Sequence, residues 1–268
     1  MKFNKKIFYK TFLLAFLTFG VLSTIILTSL YVDANAVDPL NEETTVLLGV
    51  TDKDTVLSLC VVNFDVQNNT VSFLPIPDNV WVENSVVLQS QYNGRNASDL
   101  IISLEKLIGT RINRYMLFPI DTLSKLNNQM GQFSMIAQYQ FEHEGEMKSG
   151  TLNMDGELLK SMFSYSNYDM TQVKISNIGF AYLKTFLATY AKPIHLQKLS
   201  DELSNKAFLR STLTNFDKKE IKIYCELISN ISLMSQSHIQ LAGEYDIQPY
   251  SSSYFIPDNP QPNKNIFK

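Results

Sequence analysis

Apolar and polar positions fall in blocks along this chain, and the blocks set its elements. Residues 44–50 form a β-branched, apolar run stopped by the turn formers Asp52-Lys53-Asp54, the pattern of a buried strand. Residues 55–64 form a second such run. The polar stretch 65–70 turns the chain into a third at 71–76, so the second and third strands read as a hairpin. The period then becomes helical: Leu100, Ile101, Leu104, Leu107 and Ile108 share one face. Ser98 stands at its start as a cap and Gly109 at its end. A strand over 115–120 and a short helix over 121–130 follow. Residues 133–141 alternate apolar and polar up to the charged turn Glu142-His143-Glu144-Gly145-Glu146, which predicts another hairpin. Helices are expected over 155–163 and 178–190. After Pro193 the pattern is helical, and Asp217-Lys218-Lys219-Glu220 has the spacing of a capping box opening a helix through Ile231. Strands interleaved with helices predict an α/β (α+β) domain, a central mixed sheet sandwiched by helices.

The N-terminal block differs in kind. Lys2, Lys5, Lys6 and Lys10 precede an uncharged run over 12–32, 21 residues in all. A helix rising about 1.5 Å per residue needs roughly 20 to cross a bilayer, and the basic flank predicts that this end stays cytoplasmic. The expectation is one N-terminal transmembrane helix and a single-pass protein of the cell membrane, its C-terminal domain extracellular. The alternative is a cleaved signal peptide, for which Ala34-Asn35-Ala36 is an acceptable site. The organisation reads as a basic stub (1–11), an anchor (12–32), a linker (33–43), a main domain (44–192), its helical extension and closing strand (193–258), and a polar tail (259–268).

Composition adds little until charge is read locally. The whole chain carries a formal net charge of −3. Residues 41–192 hold 11 Lys and Arg against 16 Asp and Glu, a net of −5, which is a poor general trap for an anion. No basic helix-turn-helix signature points to nucleic acid. Cys60 lies in a strand-like run and Cys225 in a helix-like one; two buried free thiols are expected, with a disulfide left open by spacing. His143, His195 and His238 form no ligand-spaced pair, and no nucleophile elbow, phosphate loop or zinc-protease motif occurs.

Several segments, in order, resemble the LytR-CpsA-Psr family over residues 41–258. Val46-Leu47-Leu48-Gly49-Val50-Thr51-Asp52 is similar to its opening strand and turn, and Asp54-Thr55 to the start of the next strand. Ile76-Pro77 resembles the beginning of its Ile-Pro-Arg-Asp motif, with Trp81 as the aromatic beyond it. Leu152-Asn153-Met154-Asp155-Gly156-Glu157 looks like the segment opening a late helix. Thr214-Asn215-Phe216, Leu241-Ala242-Gly243 and Ser253-Tyr254-Phe255-Ile256-Pro257-Asp258 resemble the closing motifs. The resemblance implies a membrane-anchored, extracytoplasmic protein. Family members move a glycopolymer from an undecaprenyl-pyrophosphate carrier to peptidoglycan, usually with Mg²⁺.

That chemistry is phosphoryl transfer and needs cations around the pyrophosphate, for which arginine's charged planar fork is suited. The matching positions here lack it. Asp78 stands where the motif has arginine, and Asn79 where it has aspartate. Ser164 and Ser166 replace an Arg-x-Arg pair. In the following loop Asp169 is kept, but Gln172, Ile175 and Ser176 stand where Arg, Arg and Gln are expected. No arginine lies between Arg114 and Arg210. Asp52, Asp54 and Asp169 are the metal ligands if the site is active, and only that reading implies Mg²⁺. Arg95, Arg114 and Lys174 are candidate phosphate contacts, Arg111 a weaker one. Phe163, Phe180, Leu183, Leu187 and Tyr190 either line a lipid tunnel of the family's type or are plain core. The sequence therefore points to a degenerate relative binding a polyprenyl-phosphate lipid, a cell-wall glycopolymer or an envelope partner. A divergent transferase is the alternative.

Overall fold

The computed structural model describes residues 43–77, 79–82, 86–165, 175–231, 234–246, 254–258 and 265–267. The expected anchor at 12–32 lies outside them. Among the described residues no helix is long and apolar enough to cross a membrane.

Three strands come first: β1 (Thr44–Asp52), β2 (Thr55–Asp65) and β3 (Thr70–Ile76). A short pair, β4 (Trp81–Val82) and β5 (Val86–Val87), leads through one 3-10 turn at Leu88–Gln91 into α1 (Ser98–Ile108). Then follow β6 (Arg114–Pro119), α2 (Ile120–Met130), and the hairpin β7 (Phe133–His143) and β8 (Glu146–Met154). Helices α3 (Gly156–Ser164), α4 (Ile175–Tyr190), α5 (Pro193–Leu203) and α6 (Lys206–Ser211) come next. The chain closes with β9 (Leu213–Thr214), α7 (Lys218–Ser229), β10 (Ser235–His238), β11 (Gly243–Asp246) and β12 (Tyr254–Pro257).

Six strands form one mixed sheet in the order β10-β3-β2-β1-β6-β9. β1 pairs antiparallel with β2 and parallel with β6; β3 pairs antiparallel with β2 and parallel with β10. Side chains alternate between the faces of a strand, and both faces are apolar. Leu59 and Val61 of β2 face one way, where Leu47, Leu74 and Leu117 meet Leu100, Leu104 and Ile108 of α1. Cys60 and Val62 face the other way, toward α4 and α7. A sheet covered on both sides needs apolar residues in succession, which is why β2 reads as an unbroken apolar run.

The main strands and helices stand close to where the periodicity places them. At the start of α1 the cap differs: Ala97 holds the cap position, and the Asn96 side chain accepts from both the N–H and the hydroxyl of Ser98. Asn96 thus takes the first free N–H, and draws the Ser98 hydroxyl back onto itself and away from the helix. Asp155 caps α3 by accepting from Leu158 N–H. Asp217 and Glu220 form the expected capping box of α7. The pattern gave no sign of β10, whose four residues are all exposed and polar. Its place on the sheet edge comes from backbone pairing with β3, helped by a Ser72–Ser237 hydroxyl contact and by His238 stacking on Phe180.

Candidate functional site

β1 and β3 both run against β2, and β6 runs with β1. The carboxyl ends of β1, β3 and β6 therefore share one end of the sheet. In open α/β sheets ligands bind beyond such ends. Asp52 and Asp54 sit there, exposed, on the tight turn between β1 and β2, with Lys53 at φ 51°. The loop before α1 presses on this turn. A Cβ on Gly94 would stand 2.1 Å from Asp54 Oδ1, and Gly94 has φ +74°. Only glycine serves a close approach in that backbone conformation. Arg95 follows it, exposed, its backbone N–H donating to Asn93 Oδ1 at 3.1 Å.

The segment after β3 is stapled from two sides. Gln89 donates from Nε2 to the Pro77 carbonyl (2.8 Å) and accepts at Oε1 from Val80 N–H (3.0 Å). Asn79, at φ 52°, offers its carbonyl to Phe255 N–H of β12 at 3.1 Å. Trp81 is half-buried against Tyr254, ring centroids 5.0 Å apart. Ser164 is the exposed last residue of α3. Asp78, Ser166, Asp169, Gln172 and Lys174 lie outside the described residues, as does the side chain of Ile175, whose backbone opens α4.

Arg114 does not join the site. It pairs with Val46, five positions before Thr51 meets Pro119, so it starts β6 at the opposite end of the sheet. There it donates through Nε and Nη2 to Glu220 Oε1. That bond holds its guanidinium more firmly protonated than usual. Arg111 is exposed just before it. Lys53 and Arg95 are exposed cations at this end, Lys160 is paired with Asp121 just beyond β6, and among the described residues no group of three or more metal-binding side chains occurs. Asp52 and Asp54 offer hard oxygen donors of the kind Mg²⁺ takes, with its remaining positions left to water and phosphate.

Behind this end lies an apolar cavity between the sheet and helices α2, α4, α5 and α7. Its volume is about 120 Å³, and its walls are almost wholly apolar. Its floor is the even-numbered face of β2 from Ser58 to Phe64 together with Val46, Leu48 and Val50 of β1. The α4 wall is Tyr182, Leu183, Phe186 and Leu187. Of the five tunnel candidates, then, Leu183 and Leu187 line it. Phe163 is buried against Tyr182 at 6.1 Å. Phe180 stacks on His238 at 4.6 Å and 13°. The Tyr190 hydroxyl donates to the Gly131 carbonyl at 2.6 Å. Tyr182 and Phe186 were legible as the same helical stripe as Leu183 and Leu187; the strand face was legible only once β2 was known to be covered on both sides. Cys60 and Cys225 are free, buried and face the cavity, and burial pushes each thiol up to about 12. Burial also raises the Tyr182 phenol, which donates to Asn127 Oδ1 at 3.3 Å.

This arrangement has solved counterparts. B. subtilis TagV aligns over 85% of this chain and 95% of its own, with TM-score 0.67 and 16% identity. Protein gbs0355 from Streptococcus agalactiae aligns over 82% and 84%, with TM-score 0.62 and 17% identity. The fold is that of LytR-CpsA-Psr proteins. TagT bound to LI-WTA has this LytR-CpsA-Psr fold too, with TM-score 0.59 and 16% identity over 82% of this chain and 87% of that one. No family model and no curated protein matches the sequence. Within the LytR-CpsA-Psr fold of this chain, the cavity and the strand ends carrying Asp52 and Asp54 lie side by side.

Proposed function

We propose that this chain is a membrane-anchored, extracellular cell-envelope protein that holds a polyprenyl-phosphate lipid and does not turn it over. The cavity carries the reading. It is long, apolar and adjacent to a polar strand end, which suits a hydrocarbon tail with a charged head. Each methylene taken from water contributes about 0.8 kcal/mol, so such a cavity binds without help from arginines. Transfer is another matter. A migrating phosphoryl group is stabilised mostly by surrounding cations. Here the described strand end sets Asp52 and Asp54 beside Lys53 and Arg95, so its acidic and basic charges offset each other, and the sequence supplies no arginine from 115 to 209.

A second reading keeps the chemistry. The likeness to TagT bound to LI-WTA and the fixing of Asp54 against Gly94 favour a divergent phosphotransferase. Asp52 and Asp54, with Asp169, would then hold Mg²⁺, whose charge would offset the missing arginines. One assay separates the two. The full chain, reconstituted in lipid nanodiscs with Mg²⁺, is given undecaprenyl-pyrophosphate lipid. Binding without phosphate release or transfer is expected. Turnover that disappears in Asp54→Ala would establish the second reading instead.

A further inference from the structure

We propose that α7 closes the cavity at the end remote from Asp52 and Asp54, and that Phe216 and Tyr224 there set the longest hydrocarbon chain it accepts. This rests on the lipid reading above. Along β2 the floor runs from Ser58 to Phe64, six steps of about 3.3 Å, or roughly 20 Å. At the Phe64 end three rings meet. Tyr224 stands edge-on to Phe64 (6.4 Å, 75°) and to Phe216 (4.9 Å, 83°). All three line the cavity, and Phe216 is half-buried, with one side toward solvent.

The barrier is held in place by polar contacts outside it. The Tyr224 hydroxyl is hydrogen-bonded with the side chain of Thr44, the cross-strand partner of Phe64. One turn earlier on α7, Glu220 takes Arg114 at the start of β6. Glu220 also accepts from Asp217 N–H at 3.0 Å, completing the capping box. α7 is thus fixed to the amino ends of β1 and β6 as a bar across the sheet. A chain whose head rests at the Asp52 end, where Asp52 pairs with Thr55, meets the rings at Phe64 after roughly 30 Å. Its further methylenes cannot enter, so they add no affinity.

The test uses the full chain in detergent and the displacement of a fluorescent fatty-acid probe by geranyl, farnesyl, geranylgeranyl and undecaprenyl monophosphates. Each methylene buried tightens binding about fourfold. Wild-type affinity is expected to climb with length and then level off before undecaprenyl. In Phe216→Ala the climb continues, and undecaprenyl monophosphate gains roughly tenfold or more, while geranyl monophosphate is unchanged. Should the melting curve show that Phe216→Ala does not fold, Phe216→Leu keeps an apolar side chain and carries the same comparison. A limit that stays put in the folded variant, or no limit in the wild type, overturns the aromatic stop alone. No binding of any of the four lipids removes the lipid reading and the stop together.

Discussion

Gly179 lies where α4 crosses β2, and a Cβ there would stand 2.0 Å from Ser58 Oγ and 2.6 Å from Ser58 Cβ. The helix sits as close to the sheet as it does because neither side chain is larger. Gly179→Ala should cost about 1–3 kcal/mol through overpacking, read as a lower urea midpoint. Ser58→Gly in the same chain should restore most of it. The thiols make a second residue-scale case. Burial pushes the Cys60 and Cys225 thiols up to about 12, so at pH 8 both stay protonated and shielded in the folded protein, whereas an ordinary exposed cysteine is partly thiolate. Iodoacetamide at pH 8 should leave both unmodified in the folded protein and label both in denaturant. Labelling of either in the folded state would show that its wall of the cavity opens.

At the scale of elements, the capping box of α7 links a local signal to a distant contact. Asp217 accepts from Lys219 and Glu220 N–H at 2.7 and 2.8 Å. Asp217→Ala should cost about 1 kcal/mol, measurable in chemical denaturation. The box was readable from four residues because capping is chemistry between near neighbours. The same holds for β1 to β3 and for the α1 stripe, whose apolar periods are long and unbroken. β10 and the short strands β4, β5 and β9 were not readable, since Ser235-Gln236-Ser237-His238 has no apolar period and owes its form to the edge of β3. The candidate site was legible in part. Residues 52–54 were marked as a turn by composition, whereas the placement of Arg114 at the far end follows from the parallel register of β1 and β6, which no local pattern encodes. Phe163, Phe180 and Tyr190 share a helical texture with cavity residues, but each is engaged by a specific neighbour that sequence does not reveal.

For the whole molecule, the buried thiols give stability a pH dependence. In the unfolded chain each ionises near 9, and in the folded chain near 12. Between these values the unfolded state has shed protons that the folded state keeps, so stability falls as pH rises from 9 toward 12 and is fully present below 9. The double variant Cys60→Ala, Cys225→Ala should show a shallower decline in melting temperature across that window. An equal decline would mean that other groups govern it.

Ser72 and Ser237 touch at 2.6 Å across the β3–β10 pairing, 165 residues apart. Contacts that distant form late, after the loop between them has been closed. At about 5–20 residues per second, the synthesis of β10 trails that of β3 by on the order of ten seconds. In that interval β1, β2 and β3 can pair, but α4 and α7 have yet to cover them. The face that later becomes the cavity floor is then an open apolar surface beside an unpaired strand edge. The nascent chain is most prone to wrong association in that interval, before the roof that makes the cavity selective has arrived.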